Sequence, residues 1–361
     1  MEKRPTMRDI AKLAKVSGVT VSLALRKHSS IPLKTRERIE AIARQIGYRP
    51  DPALSALMAY RRGAKPSGYQ GTIAWVNTHV HPEYVRHSPP FSLYCQGAQE
   101  RCIGLGYKLE EFPLIDYNMS FRRLSTVLYS RNIQGVIFPP QERHQAHVST
   151  ISFNWDRFSS VALGFTLVRP QLHTVVPAQY RSARLAVRKL RSLGYRRIGC
   201  IGNEILNKRT DSNFLGGYLV EQCQFPMDCH IPVFTMTRER DCMPECRKWY
   251  RAHKPDAILD FSERASYSLQ LLGSAPNRKL GIASIDVQDE PSELAGINQN
   301  SRLVGCAAVD EVVGLILANK RGIPDIPKRV LIEGSWVNGL SAPRITGTVS
   351  STGARARASR Q

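Results

Sequence analysis

Apolar positions recur at three- and four-residue intervals in three short runs near the start of this 361-residue chain. Met7, Ile10, Ala11 and Ala14 fall at i, i+3, i+4 and i+7, one face of a helix. Thr6 precedes them as the expected N-cap, with Asp9 three residues on to close a capping box. Val16-Ser17-Gly18 breaks the period, and Thr20-Val21-Ser22-Leu23-Ala24-Leu25 opens a second helix whose first turn carries no acid. Ile39, Ile42, Ala43 and Ile46 repeat the spacing in a third helix, which Gly47 stops. Helices this short bury little, so their exposed face is expected to be functional. The pattern predicts a helix-turn-helix whose second helix lies in the major groove of DNA. A basic three-helix module used for protein contacts is the alternative.

Past this module, Asp51-Pro52-Ala53-Leu54-Ser55-Ala56-Leu57-Met58 reads as a short helix with an Asp cap and Pro in its first turn. Arg61–Gly68 is a polar Gly/Pro linker. From Gly71 the pattern changes to strands alternating with helices. Strands are expected at Thr72–Val76, Tyr107–Phe112, Gly135–Phe138, Ser160–Gly164, Ile198–Ile201, Asp256–Leu259 and Gly281–Ile285. Helices are expected from about Leu93 to Leu105, around Phe121–Ser130, and over 181–193. Repeated strand–helix units imply parallel sheets covered on both faces. A stretch of this length exceeds one comfortable sheet, so two lobes are expected. The Ser/Thr/Arg/Ala-rich segment from residue 344 reads as disordered.

Charge sharpens the picture by its distribution. The formal net charge is +21, and residues 1–65 hold 15 Lys and Arg against 5 Asp and Glu. Residues 66–343 hold 32 against 25, and 344–361 hold four cations and no acid. The density is highest on the helix-turn-helix, as phosphate binding requires. The N-terminus shows no secretory signal pattern and no apolar run reaches membrane-spanning length, so a cytoplasmic, nucleoid-associated protein is expected. The eight cysteines then read as reduced thiols. Cys223, Cys229, His230, Cys242 and Cys246 are close in sequence, but no C-x-x-C pair occurs and no metal site is assigned. His79-x-His81 and His144-x-x-His147 read as solvated loop histidines. There is no G-x-S-x-G elbow, phosphate-binding loop or dinucleotide fingerprint, so neither an enzyme nor a cofactor is expected.

Residues 7–25 (MRDIAKLAKVSGVTVSLAL), 33–39 (LKTRERI) and 46–50 (IGYRP) together resemble the lac-repressor family of transcriptional regulators, LacI/GalR-type. Arg184–Ile198, Gly216–Leu219, Pro255–Leu259, Ile297–Asn300 and Val330–Val337 are similar to landmarks of the family's core. The resemblance implies an all-α helix-turn-helix headpiece at 1–50, a hinge helix at 51–60 and a linker at 61–70. It further implies an α/β core at 71–341 of two doubly wound parallel-sheet lobes, built like a periplasmic binding protein. The lobes would be about 71–177 with 301–327, and about 178–300 with 328–341, followed by a disordered basic tail at 342–361.

Carried over by position, the resemblance assigns DNA contact to Thr6, Arg8, Ser17, Thr20, Ser22, Arg26, Ser30 and Thr35. It assigns base reading to Gly18, Val19 and Leu23, and a minor-groove wedge to Leu57. The three base-reading positions depart from the family's polar residues. Apolar side chains touch thymine methyls but cannot form bidentate bonds to guanine or adenine. Effector contacts map onto Asn77, Thr78, Tyr180, Arg181, Phe214, Glu263 and Gln299, with Phe214 and Glu263 departing from the family's Arg and Asp. Arg209 or Arg181 is the expected substitute for that Arg. The implied partners are double-stranded operator DNA, a sugar-like effector between the lobes, and a second copy of the chain. The expected function is a ligand-responsive repressor of a carbohydrate-use operon; a sugar-binding transport protein is the alternative.

Overall fold

A computed structural model describes residues 7–25, 31–46, 70–79, 89–114, 118–141, 152–236, 242–262, 280–288 and 293–345. The expected hinge helix with Leu57, and the linker before Gln70, lie outside the described residues. Helices α1 (Met7–Ala14), α2 (Gly18–Leu25) and α3 (Leu33–Gln45) form the headpiece. Ile10 and Ala14, Val21 and Ala24, and Ile39 and Ala43 bury one stripe of each helix into a shared core with Ile31. Full burial of an Ile or Val side chain contributes about 1.5–3 kcal/mol, so three such helices hold together only jointly. Arg38 crosses from α3 and donates to Ala14 O at 3.1 Å, satisfying a carbonyl left open at the end of α1.

The described residues fall into two compact units, within Met1–Val175 with Arg302–Val330, and within Val176–Ser301 with Leu331–Gln361. The first contains, besides the headpiece, β1 (Gly71–Asn77), α4 (Phe91–Gly104), β2 (Tyr107–Pro113), α5 (Phe121–Ser130), β3 (Gly135–Phe138), β4 (Ser159–Leu163) and β5 (His173–Pro177). The second contributes α6 (Gln179–Ser192), β6 (Ile198–Asn203), α7 (Glu204–Arg209), α8 (Asn213–Gln222), β7 (Phe234–Met236), α9 (Met243–His253), β8 (Ala257–Phe261), β9 (Gly281–Ser284) and β10 (Ala295–Asn298). The chain then adds α10 (Ser301–Leu317), β11 (Arg329–Ile332) and β12 (Ser335–Val337).

The first sheet runs β11-β5-β4-β3-β1-β2 and the second β12-β10-β9-β8-β6-β7. Strands β1 to β5 pair in parallel, as do β6 to β10, while β12 runs antiparallel to β10. The expected doubly wound parallel lobes are therefore present. Both sheets are buried on two faces, which is why β3, β4, β8 and β9 bury every residue instead of alternating. In the first unit α4 and α10 cross at two glycines: a Cβ on Gly97 would sit 2.0 Å from Arg302 O, and one on Gly305 2.0 Å from Tyr94 O. In the second, α6 and α8 approach as closely, with Tyr180 O 2.3 Å from a Cβ on Gly217.

One expectation is corrected here. Residues 342–345 do not begin a disordered tail. Ala342 is buried in the core of the second unit, Pro343 O accepts from Tyr195 Oη at 2.8 Å, and Ile345 N donates to Leu193 O at 2.8 Å. An apolar Ala342-Pro343 step suits a docked strand end, and composition alone did not mark where docking stops.

Candidate functional site

In the headpiece, Ser17 Oγ accepts from Thr20 N at 3.1 Å and lies 2.9 Å from Thr20 Oγ1. Ser17 Oγ thus caps α2, which fixes where the helix starts, and also engages the Thr20 hydroxyl. Gly18 is exposed in the first turn, and a Cβ there would meet nothing within 4 Å. Leu23 is half-buried against the headpiece core, so only part of it faces outward. Arg8, Val19 and Ser22 lie in α1 and α2, but their side chains are outside the described residues, as are Thr6, Arg26 and Ser30 altogether. Thr35 sits half-buried in the first turn of α3. Helix α2 (GVTVSLAL) has no charged residue, so the cations described here come from its neighbours: Lys12 and Lys15, and Lys34 and Arg44 of α3, all exposed.

The carboxyl ends of β1, β3 and β4 in the first unit carry a buried polar network. In a doubly wound sheet this is where ligands bind, at the point where strand order reverses. Asn77 Nδ2 donates to Glu111 Oε1 at 2.7 Å, and its Oδ1 accepts from His79 N at 3.0 Å. Thr78 Oγ1 donates to Gln141 Oε1 at 2.6 Å, while Gln141 N donates to Thr166 Oγ1 at 2.6 Å. His79 Nε2 lies 2.8 Å from Pro140 O, which places its proton on that nitrogen. Asn77 and Thr78 are therefore brought together as expected of neighbours. His79 is buried, against the expectation of a solvated loop histidine, because the carbonyl of Pro140 and the ring of Phe91 enclose it. Sequence reading missed Gln141 and Thr166. The signal for Gln141 was an amide directly after the Pro139-Pro140 strand stop.

In the second unit the expected residues are scattered in role. Arg181 is exposed and paired with Glu333, Nε to Oε1 2.9 Å. Tyr180 is half-buried with the Arg184 guanidinium 5.5 Å from its ring centroid. Arg209 is half-buried at the end of α7, Gln299 is buried just after β10, and Glu263 lies outside the described residues. Phe214 requires correction from effector contact to core packing. It is 1% exposed and stacks on Phe261 at 6.1 Å, because Asp211 and Ser212, both at positive φ, turn the chain so that the first turn of α8 faces the sheet. Asp260, which sequence reading passed over, is buried near the end of β8 and accepts from Ser262 N at 2.7 Å. Gln179 Oε1, Ser182 Oγ and Asn207 Oδ1 are buried acceptors with no partner among the described residues.

Burial pushes the Cys102 and Cys246 thiols up to about 12, with Cys95 adding to the first and Asp260 and Cys242 to the second. Such thiols stay protonated and are poor metal ligands. Among the described residues no group of three His, Cys, Asp or Glu is placed to hold a metal, and no helix is long and apolar enough to cross a membrane.

The described residues thus combine a capped helix-turn-helix with two doubly wound units. Residues 6–51 match the profile described as bacterial regulatory proteins, lacI family. That match falls on the headpiece, and the fold of the chain is similar to that of the lac repressor. It is 26% identical over 203 residues to the HTH-type transcriptional repressor MelR of Bacillus subtilis (strain 168), a match covering 55% of this chain and 54% of MelR. The chain thus spans about half the length of that curated relative. Among solved structures it is similar to a CelR–cellobiose complex, with TM-score 0.54 and 19% identity over 94% of this chain and 100% of the other. It is equally similar, TM-score 0.54 and 17% identity over 94% and 100%, to the lac repressor dimer bound to operator and the anti-inducer ONPF.

Proposed function

We propose that this chain is a sequence-specific DNA-binding transcriptional regulator, a cytoplasmic homodimer that represses by occupying an operator and performs no catalysis. The observation that carries the reading is the headpiece. It joins a family match over 6–51, a helix α2 capped by Ser17, and an uncharged outer face flanked by exposed cations. Phosphate contacts from Lys12, Lys15, Lys34 and Arg44 supply affinity, while Gly18, Val19 and Leu23 read by shape and thymine methyls.

The effector is a small polar, carbohydrate-like molecule held at the carboxyl ends of the strands. Support comes from the buried amides there and from a similar fold solved with cellobiose. Effector binding shifts operator affinity by the difference in its affinity for the two states of the core. In this reading Leu57 wedges into the minor groove, and Arg26 and Ser30 contact the backbone.

A selection of random duplexes with the full chain tests the proposal, followed by gel shifts across salt and a sugar panel. One enriched motif with two half-sites is expected, with log affinity falling linearly in log salt and one sugar class moving it. Recovery of unenriched duplexes, or affinity flat in salt, would refute the reading.

A further inference from the structure

The amino edge of the first sheet is the end at which the chain enters that unit, where Gln70 N donates to Gly106 O at 2.8 Å just before β1. Three connections gather on this edge. Gln134 O, ahead of β3, accepts from Ser159 N at 2.9 Å; the turn Trp155–Arg157 leads into β4; and the segment after α10 closes over both. That last segment is held by Ser159 Oγ donating to Lys320 O at 2.7 Å and Gly322 N donating to Phe158 O at 3.1 Å.

Arg131, Arg157, Lys320 and Arg321 are exposed on these connections, and Lys108 is exposed at the start of β2. Arg131 is committed to Glu110 by bonds of 2.7 and 2.9 Å. Arg157 stacks 4.1 Å over Tyr129 and keeps its charge. The other acids of the same stretch are Asp156 and Asp325. At the opposite edge the network holds Glu111 and neither Lys nor Arg. Between α3 and Gln70 the sequence adds Arg49, Arg61, Arg62 and Lys65 against the one acid Asp51.

We propose that this edge is a second, sequence-independent contact for the duplex held by the chain's own headpiece, with Lys108, Lys320 and Arg321 meeting phosphates. The proposal rests on the DNA-binding reading above. A recognition helix without charge leaves backbone affinity to other elements, and each phosphate neutralised adds about 0.9 to the salt slope.

The test compares full-length wild type with Lys320→Ala/Arg321→Ala and, on another element, Lys108→Ala. Arg247→Ala/Lys248→Ala on α9 removes the same charge from the other unit as a control. Thermal melting checks that each variant folds. The Lys320/Arg321 variant is expected to bind the selected duplex about three- to tenfold more weakly at low salt, with a slope shallower by about one to two. Random duplex should lose the same factor, and the α9 control should match wild type. Identical slopes for the variant and the control would overturn the proposal, as would a loss confined to the selected duplex. Wild type that binds no duplex would overturn the DNA-binding reading with it, whereas normal wild-type binding beside an unaffected variant overturns this inference alone.

Discussion

In the first sheet the ends of β1, β3 and β4 are laced to one another by side chains, whereas in the second Asn203, Asp260 and Ser284 each hold a turn of their own strand end. Thr78, Gln141 and Thr166 connect three strands in the first unit. In the second, Asn203 caps α7, Asp260 holds Ser262 N, and Ser284 holds Asp286 N at 3.3 Å. The same strand order therefore supports two kinds of site. One is cross-braced from strand to strand. The other keeps buried acceptors on α6 and α7 with no partner among the described residues.

The sharpest way to break this contrast lies beneath both sites. Gly305→Ala and Gly217→Ala each drive a methyl into backbone, so both should destabilise by about 3 kcal/mol or more, read by thermal unfolding. Equal losses would show that the packed glycine crossings are shared and only the strand ends differ. Next, Gln141→Leu strands the Thr78 hydroxyl and should cost about 1–3 kcal/mol, while Ser182→Ala removes an orphan and should change denaturant midpoints by less than about 0.5 kcal/mol. A large loss at Ser182 would erase the distinction.

A pH series sharpens it further. Burial raises the Glu221 carboxyl, but hydrogen bonds from Arg188 and Arg184 outweigh that and hold it below its usual value. An acid depressed on folding contributes stability present above its unfolded pKa and lost as pH falls through the folded value. Wild type should therefore lose melting temperature on acidification below about pH 4.5 more steeply than Glu221→Gln. Matching acid limbs would remove Glu221 from the account. The smallest effect is expected at Gly18→Ala, where open space and a helical position should raise headpiece stability by about 0.5 kcal/mol, seen as slower amide exchange in α2.

The alternation of strands and helices is legible in the sequence because fully buried parallel strands read as short unbroken apolar runs. Gly135–Phe138 and Phe121–Ser130 need nothing else. The headpiece is legible for the complementary reason, a 3.6-residue period in α1 and α3, although the sequence opens the second helix at Thr20 whereas Ser17 caps it two residues earlier, at Gly18. Side-chain direction is not. Phe214 looks like a ligand position until a turn of two positive-φ residues points its ring into the core. His79 looks solvated until the carbonyl of Pro140, distant in sequence, comes to meet it. A local turn decides the first and a partner distant in sequence the second, and the spacing of apolar residues records neither.

The way the chain is shared between the two units bears on how it is made. The first unit starts before Val175 and is completed only by Arg302–Val330, after the whole of Val176–Ser301 has been synthesised. Until then β5 lacks its neighbour β11 and Gly97 lacks the helix that covers it. The second unit in turn awaits β12 and the docked residues around Ala342. On the ribosome neither sheet can close before the last strands emerge. The headpiece, whose described core draws only on residues between Ile10 and Ile46, can fold while the sheets still wait for their last strands.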